Sequence, residues 1–163
     1  MDGIKRQVIA EVINITRSML ATAEEGRRNA IEESKYHKGA MQSRYDTFKE
    51  EAQYLMQAQD VRIAEFNSTI STLSSLLTKL NGETYTKVGL LTLVELKNES
   101  GKLVSYLILP AGGGITCTVN KKKVTTINES SPLALAINGL SQSEEAEFIA
   151  GASKKILSVV SIS

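Results

Sequence analysis

Five carboxylates crowd one short part of this chain: Glu32, Glu33, Asp46, Glu50 and Glu51. They belong to residues 24–51, in which thirteen of 28 residues are acidic or basic and which hold the only histidine, His37. Asp46 and Glu50 are four residues apart, so on a helix they share a face. With Phe48 facing inward, both lie about 160° away from it at 100° per residue and point outward. Two outward carboxylates suit a hard cation such as Mg²⁺, which takes oxygen ligands and keeps several waters. The plainer reading is solvated charge pairing with Arg44 and Lys49. Nothing on the chain completes a catalytic site by itself, so such a pair would act inside another molecule.

Other chemical signals are weaker. Gly112-Gly113-Gly114 lacks the Gly-Lys-Ser/Thr that opens the helix of a phosphate loop, and Ile115 after it opens a strand. His37 and Cys117 are each single and have no second soft ligand for a metal set. Cys117 reads as a small hydrophobe in a strand and His37 as a turn residue. Lys121-Lys122-Lys123 is a basic hairpin turn, with a polyanion contact as the sharper alternative. No nucleophile–base pair is evident, which argues against a self-standing enzyme.

The elements that must carry the acids are legible from periodicity. Ile4, Val8, Val12, Ile15, Met19 and Ala23 recur at threes and fours, widened by Ile9, Ile13 and Leu20, which predicts an amphipathic helix. A second stripe runs through Phe48, Ala52, Leu55, Phe66, Ile70, Leu73, Leu77 and Leu80, softened at Gln59 and Arg62 and stopped by Asn81-Gly82. Gly39 is the break between them. Two such helices pack antiparallel, Ile4 near Leu80 and Val8 near Leu77, with the tip near residues 36–46. Each arm would be about 50 Å long at 1.5 Å per residue. Residues 1–80 carry 11 basic and 11 acidic side chains, the balance of a solvated coiled coil.

After Gly82 the period falls to two. Strands are predicted over 84–97, 103–109, 115–119, 123–127, 145–149 and 154–162. Ser131 fits an N-cap, Pro132 the first position of a short helix, and Gly139 the place just beyond it. The class is α+β: an N-terminal helical hairpin over residues 1–81, then a small sheet domain with one short helix over 82–163.

Composition bounds the function. The net charge of +1 gives no bulk field for nucleic acid. No run of apolar residues is long enough for a membrane span, and MDGIKRQVIAEVI lacks the pattern of a signal peptide. A lone cysteine suits a reducing cytosol. There is no tryptophan, and aromatic residues are only 5% of the chain, so the apolar content is expected along an elongated element or in a small domain.

A helical hairpin of about 80 residues followed by a small sheet domain resembles the bacterial transcript cleavage factors of the GreA/GreB family. Three runs carry the likeness over nearly the whole chain. Residues 49–54, KEEAQY, resemble the family's KENAEY next to the tip; residues 127–139, INESSPLALAING, resemble its Ser-Pro-Ile/Leu-Ala signature; and SYLI at 105–108 resembles the strand before that signature. The resemblance implies an FKBP-like second domain that docks on RNA polymerase at the rim of the secondary channel. It also implies a hairpin that enters the channel, where two tip acids help hold a Mg²⁺ shared with the polymerase, bound in no stable way by the factor alone. This promotes hydrolysis of nascent RNA in backtracked complexes, so the factor stimulates the polymerase and is not itself an enzyme.

Carried over by position, the docking contact falls on Ser130, Ser131, Pro132 and Leu133, with Leu135 where the family usually has Arg. The metal-facing acids fall on Asp46 and Glu50. Aligned on KEEAQY, Glu50 takes the family's Glu and Thr47 its Asp, with Asp46 one position early. Aligned instead on Arg44-Tyr45-Asp46-Thr47, which resembles a Lys-Tyr-Glu-Thr run, Asp46 is the surviving acid and Ser43 replaces the other. Arg27, Arg28, Lys38 and Arg44 are candidates to contact RNA or steer insertion, because phosphates favour such side chains. The expectation is a cytoplasmic Gre-type regulator of RNA polymerase; the alternative is a non-cleaving modulator or a coiled-coil interaction protein.

Overall fold

The computed structural model describes residues 2–36 and 42–163. Two long helices come first, α1 (Asp2–Tyr36) and α2 (Gln42–Lys79). Six strands and one short helix follow: β1 (Leu93–Asn98), β2 (Leu103–Leu109), β3 (Thr116–Val119), β4 (Lys122–Asn128), α3 (Pro132–Ile137), β5 (Glu145–Ala150) and β6 (Ser153–Ile162). The α+β order read from the sequence is the order observed. By contacts the chain divides into two compact units, Asn14–Ser71 and Met1–Ile13 with Thr72–Ser163.

In the unit Asn14–Ser71 the two helices meet along a narrow seam. Thr16, Ala23 and Ala30 of α1 are buried, as is Ala52 of α2. Met56, Gln59, Ile63, Phe66 and Ile70 are half-buried in α2. From Ala52 the spacing is four, three, four, three, four, which is a heptad seam. The expected stripe differs in detail. Leu55 and Met19 are 54% and 43% exposed, while Met56 and Thr16 lie inward. A strict heptad counted back from Leu73 reaches Gln59 and Met56, so geometry overrides the greater hydrophobicity of Leu55. Gly26 faces Gln59 across the seam: a Cβ there would lie 3.3 Å from the Gln59 amide nitrogen, a close contact that the flexible side chain can relieve. An ion pair, Arg27 Nε to Asp60 Oδ1 at 2.6 Å, bridges the helices on the surface of this unit.

In the second unit the first turns of α1 pair with the end of α2. Val8, Ile9, Val12, Ile13, Leu73 and Leu80 are buried. The Arg6 guanidinium donates to the Leu77 carbonyl at 2.9 Å and to the Leu80 carbonyl. These are carbonyls at the C-terminal end of α2, which have no intrahelical donor and attract a cation. Arg6 thus places the helices close to the register expected from Ile4–Leu80 and Val8–Leu77.

The sheet of this unit has the order β3-β4-β2-β1-β6-β5. Only β2 and β4 run parallel, with Tyr106 opposite Thr125 and Ile108 opposite Ile127. On one face Val94, Leu96, Ile108, Ile127 and Val159 form a core with Ala134 and Ile137 of α3. Leu93, Leu107, Leu109, Cys117 and Val124, of the opposite parity, are also buried. Near them the Asn120 amide donates to Gln7 at 3.4 Å, and the buried Lys5 ammonium lies 4.2 Å from the centre of the Tyr85 ring.

Three local readings are refined. The strand expected over 84–97 begins only at Leu93. A turn precedes it: Thr92 Oγ1 donates to the Gly89 carbonyl at 2.6 Å and accepts from its amide at 3.1 Å, and Leu91 has a positive φ of 65°. Hydroxyl-closed turns of this kind compete with strand pairing. The Gly112–Gly114 loop is structural. Gly113 donates to Asn128 Oδ1 at 2.8 Å, and the buried Thr126 hydroxyl donates to the Gly112 carbonyl at 2.6 Å. The basic turn is a tight hairpin in which Asn120 and Lys121 both have positive φ. Its next residue, Lys122, pairs with Glu95 at 3.1 Å.

Candidate functional site

The acids sit at the start of α2. Asp46 and Glu50 are both exposed and lie one turn apart, about 6 Å along the axis. Phe48, expected to face inward, is 39% exposed and only borders a hollow of about 70 Å³ with Ala30, Ser34, Ala52 and Leu55. Glu33 and Glu51 line the same hollow, and Glu32 is exposed nearby in sequence. Among the described residues, no three His, Cys, Asp or Glu side chains converge to hold a metal. Two carboxylates on one helical turn can supply part of an oxygen shell, and the remaining ligands of a Mg²⁺ would have to come from elsewhere.

The basic candidates are dispersed. Arg28 and Arg44 are exposed. Arg27 is engaged with Asp60, so part of its charge is already compensated. Lys38, like His37 and the expected break at Gly39, lies outside the described residues. Sequence reasoning gave Tyr54 no role of its own. It is 72% exposed one turn beyond Glu50, beside a recess of about 390 Å³ bordered by Glu50, Gln53 and Gln57. The signal that finds it is the four-residue spacing from Glu50, which places its ring on the acid's own face.

The second set of candidates lies at the start of α3. Ser131 is extended, with φ −69° and ψ 149°, and its hydroxyl accepts from the Ala134 amide at 3.3 Å. Pro132 occupies the first turn, where its missing N–H costs nothing. Ser130 and Pro132 are exposed, Ser131 and Leu133 half-buried, and Ala134 and Ile137 buried. Leu135 is 64% exposed, an apolar side chain at a surface position. The motif therefore builds a capped corner with a small outward face.

Cys117 is buried in β3, and burial first, with the charge of Glu11 second, raises its thiol pKa. That is an inert thiol, not a nucleophile. No helix among the described residues is long and apolar enough to cross a membrane.

No protein-family model matches the chain, and no curated protein matches it as a relative. Solved structures to which it is similar include GreA factor homolog 1 of Thermus thermophilus, 18% identical, covering 97% of this chain and 94% of that one at a TM-score of 0.37. Gfh1 of Thermus aquaticus is 20% identical over 91% of this chain and 92% of that one, at 0.40. A prokaryotic transcription elongation factor GreA/GreB from Nitrosomonas europaea is 17% identical over 58% of this chain and 78% of that one, at 0.37. Likenesses at these scores carry no functional weight, so the case for function rests on the residues.

Proposed function

We propose that this chain is a Gre-type regulator of transcription elongation that binds RNA polymerase in the cytoplasm. Its sheet unit, FKBP-like by resemblance, docks at the rim of the secondary channel through Ser130–Leu133. The helical end bearing Asp46 and Glu50 enters the channel toward the active centre. There the two carboxylates lend oxygen ligands to a Mg²⁺ held mainly by the polymerase and assist hydrolysis of backtracked RNA. Arg28 and Arg44 face solvent where phosphates of the nascent RNA can be met.

The observation that carries this reading is the exposure of Asp46 and Glu50 on one face in the first turns of α2. A second reading is favoured by Thr47, which stands where alignment on KEEAQY puts the family's aspartate. A factor with one acid displaced would bind and modulate the polymerase without cleavage.

The test is RNA length in a stalled, backtracked elongation complex with Mg²⁺ and the protein. Shortening that is lost in Asp46→Ala or Glu50→Ala supports cleavage. Binding without shortening supports the modulator, and no binding to polymerase defeats both.

A further inference from the structure

The dipeptide Asn-Gly occurs twice in the chain, as Asn81-Gly82 and as Asn138-Gly139. In this pair an asparagine side chain is open to attack by the next backbone nitrogen, because glycine has no Cβ to obstruct the approach. The first copy lies just beyond α2 and the second just beyond α3. Both glycines have a positive φ, 43° at Gly82 and 79° at Gly139. All of these residues are exposed.

The two copies differ in their hydrogen bonds. The Gly139 amide donates to the Val88 carbonyl at 2.8 Å, and the Val88 amide donates to the Leu140 carbonyl at 2.8 Å. The second copy is thus tied to a neighbouring segment on both sides of its glycine nitrogen. Among the described residues nothing holds the first copy in this way. The Gly82 amide donates to no acceptor, and the Asn81 side chain has no hydrogen-bond partner. An N–H held by a carbonyl turns toward a side chain only after that bond breaks in a local opening. An unheld one needs no such opening.

We infer that Asn81 is a site of spontaneous deamidation and that the fold protects Asn138 from the same reaction. The Gly82 nitrogen gives its proton to solvent base and bonds to Asn81 Cγ. The bond from Cγ to the side-chain nitrogen breaks, and that nitrogen leaves as ammonia after taking a proton from water. Water then opens the cyclic imide at one of its two carbonyls. The product is aspartate, or isoaspartate, in which the main chain runs through Cβ. Water is the one co-reactant, and nothing is oxidised or reduced.

The new carboxylate arises next to a clasp between the helices. Arg6 of α1 donates to the Leu77 and Leu80 carbonyls, the second of them adjacent to Asn81 in the chain. A carboxylate is a stronger acceptor for a guanidinium than a neutral carbonyl. A negative charge is also unfavourable at the C-terminal end of a helix. Deamidation therefore redirects Arg6 from α2 to residue 81 and loosens the first turns of α1 from the end of α2.

The full chain, held in mildly alkaline buffer at physiological temperature and sampled over time, is digested with trypsin and read by tandem mass spectrometry. The fragment 80–87 should gain the mass of deamidation and resolve into aspartyl and isoaspartyl forms. In the fragment 124–154, Asn138 should react roughly tenfold more slowly, because the bonds around Gly139 must open first. In urea the two sites should react at similar rates, since only the fold distinguishes them. An Asn81 that stays intact in the folded chain, an Asn138 that keeps pace with it, or a difference that survives in urea overturns the inference. The fate of Arg6 is read from its side-chain Nε–H signal by NMR. That signal should shift in the aged chain and in Asn81→Asp, and stay in place in aged Asn81→Ser. A signal unmoved by deamidation overturns the redirected clasp.

Discussion

The hydroxyl of Ser131 accepts a hydrogen bond from the backbone amide of Ala134 at 3.3 Å, and this bond closes the first turn of α3. It satisfies one of the donors that a helix start leaves open. Replacing Ser131 with alanine should cost about 1 kcal/mol, within the range measured for N-caps. Urea unfolding of Ser131→Ala reads that loss. Ser131→Asp, which keeps an acceptor, should recover most of it.

Gly113 provides a second, sharper test of the sheet unit. A Cβ at this position would lie 2.6 Å from the Asn128 backbone nitrogen and 2.7 Å from its side-chain oxygen. No rotation of a flexible side chain relieves a clash with backbone. Gly113→Ala should therefore destabilise by about 1–3 kcal/mol, the usual cost of overpacking. Gly114→Ala meets open space but forces alanine to a φ of 88°. It should also destabilise, through backbone strain and not through collision. Equal stability of Gly113→Ala and the wild type in denaturant titration would contradict the packing described.

The helices were the most legible part of the sequence, and the capped helix α3 the next. Period and punctuation reported them directly, through the three-and-four spacing and through Ser131, Pro132 and Gly139. The seam residues of α2 were less legible, because Leu55 outscores Met56 in hydrophobicity while the heptad places Met56 inward. The early start assigned to β1 failed for a different reason. Thr92 closes a turn with Gly89 through its own hydroxyl, and alternation alone does not register such a bond. The acids Asp46 and Glu50 are singled out by their spacing and by the resemblance, and their exposure does not separate one face from another, because Phe48 and every other residue from 46 to 51 is exposed too.

The ion pair of Arg27 with Asp60 joins two side chains that are 43% and 53% exposed. At that exposure solvent screens most of the attraction, and the coupling energy should be about 0.2–1 kcal/mol. A double-mutant cycle with Arg27→Ala and Asp60→Ala measures it, and raising salt should shrink it.

Cys117 sets a pH dependence. Burial holds its thiol pKa above the ordinary value, so the folded state keeps the proton more tightly than the unfolded chain. Its contribution is complete below the unfolded-state pKa of the thiol and is lost as pH rises through the folded value. Stability should therefore fall on the alkaline side, and Cys117→Ala should flatten that limb relative to its own neutral value. Thermal unfolding across alkaline pH reads the difference. Alkylation of Cys117 by iodoacetamide should likewise be slow until the chain unfolds.

Asp46 and Glu50 separate stability from function. Both are exposed, so Asp46→Asn and Glu50→Gln should change folding stability by no more than about 0.5 kcal/mol. If each carboxylate serves a shared Mg²⁺, either change should slow RNA cleavage by roughly tenfold or more, since a metal site contributes several kcal/mol of charge stabilisation. Cleavage at the wild-type rate with both acids neutralised would remove them from the chemistry.

The most direct measurement of the central claim is where the start of α2, which bears Asp46 and Glu50, would lie in a complex with the polymerase. A photoreactive side chain in place of Glu51, beside Glu50, should crosslink to polymerase residues around the active centre and to the 3′ end of backtracked RNA. The same group in place of Ser153, at the start of β6, should not. Crosslinks from position 51 confined to the outer surface of a polymerase that the chain demonstrably binds would contradict insertion and the role assigned to Asp46 and Glu50.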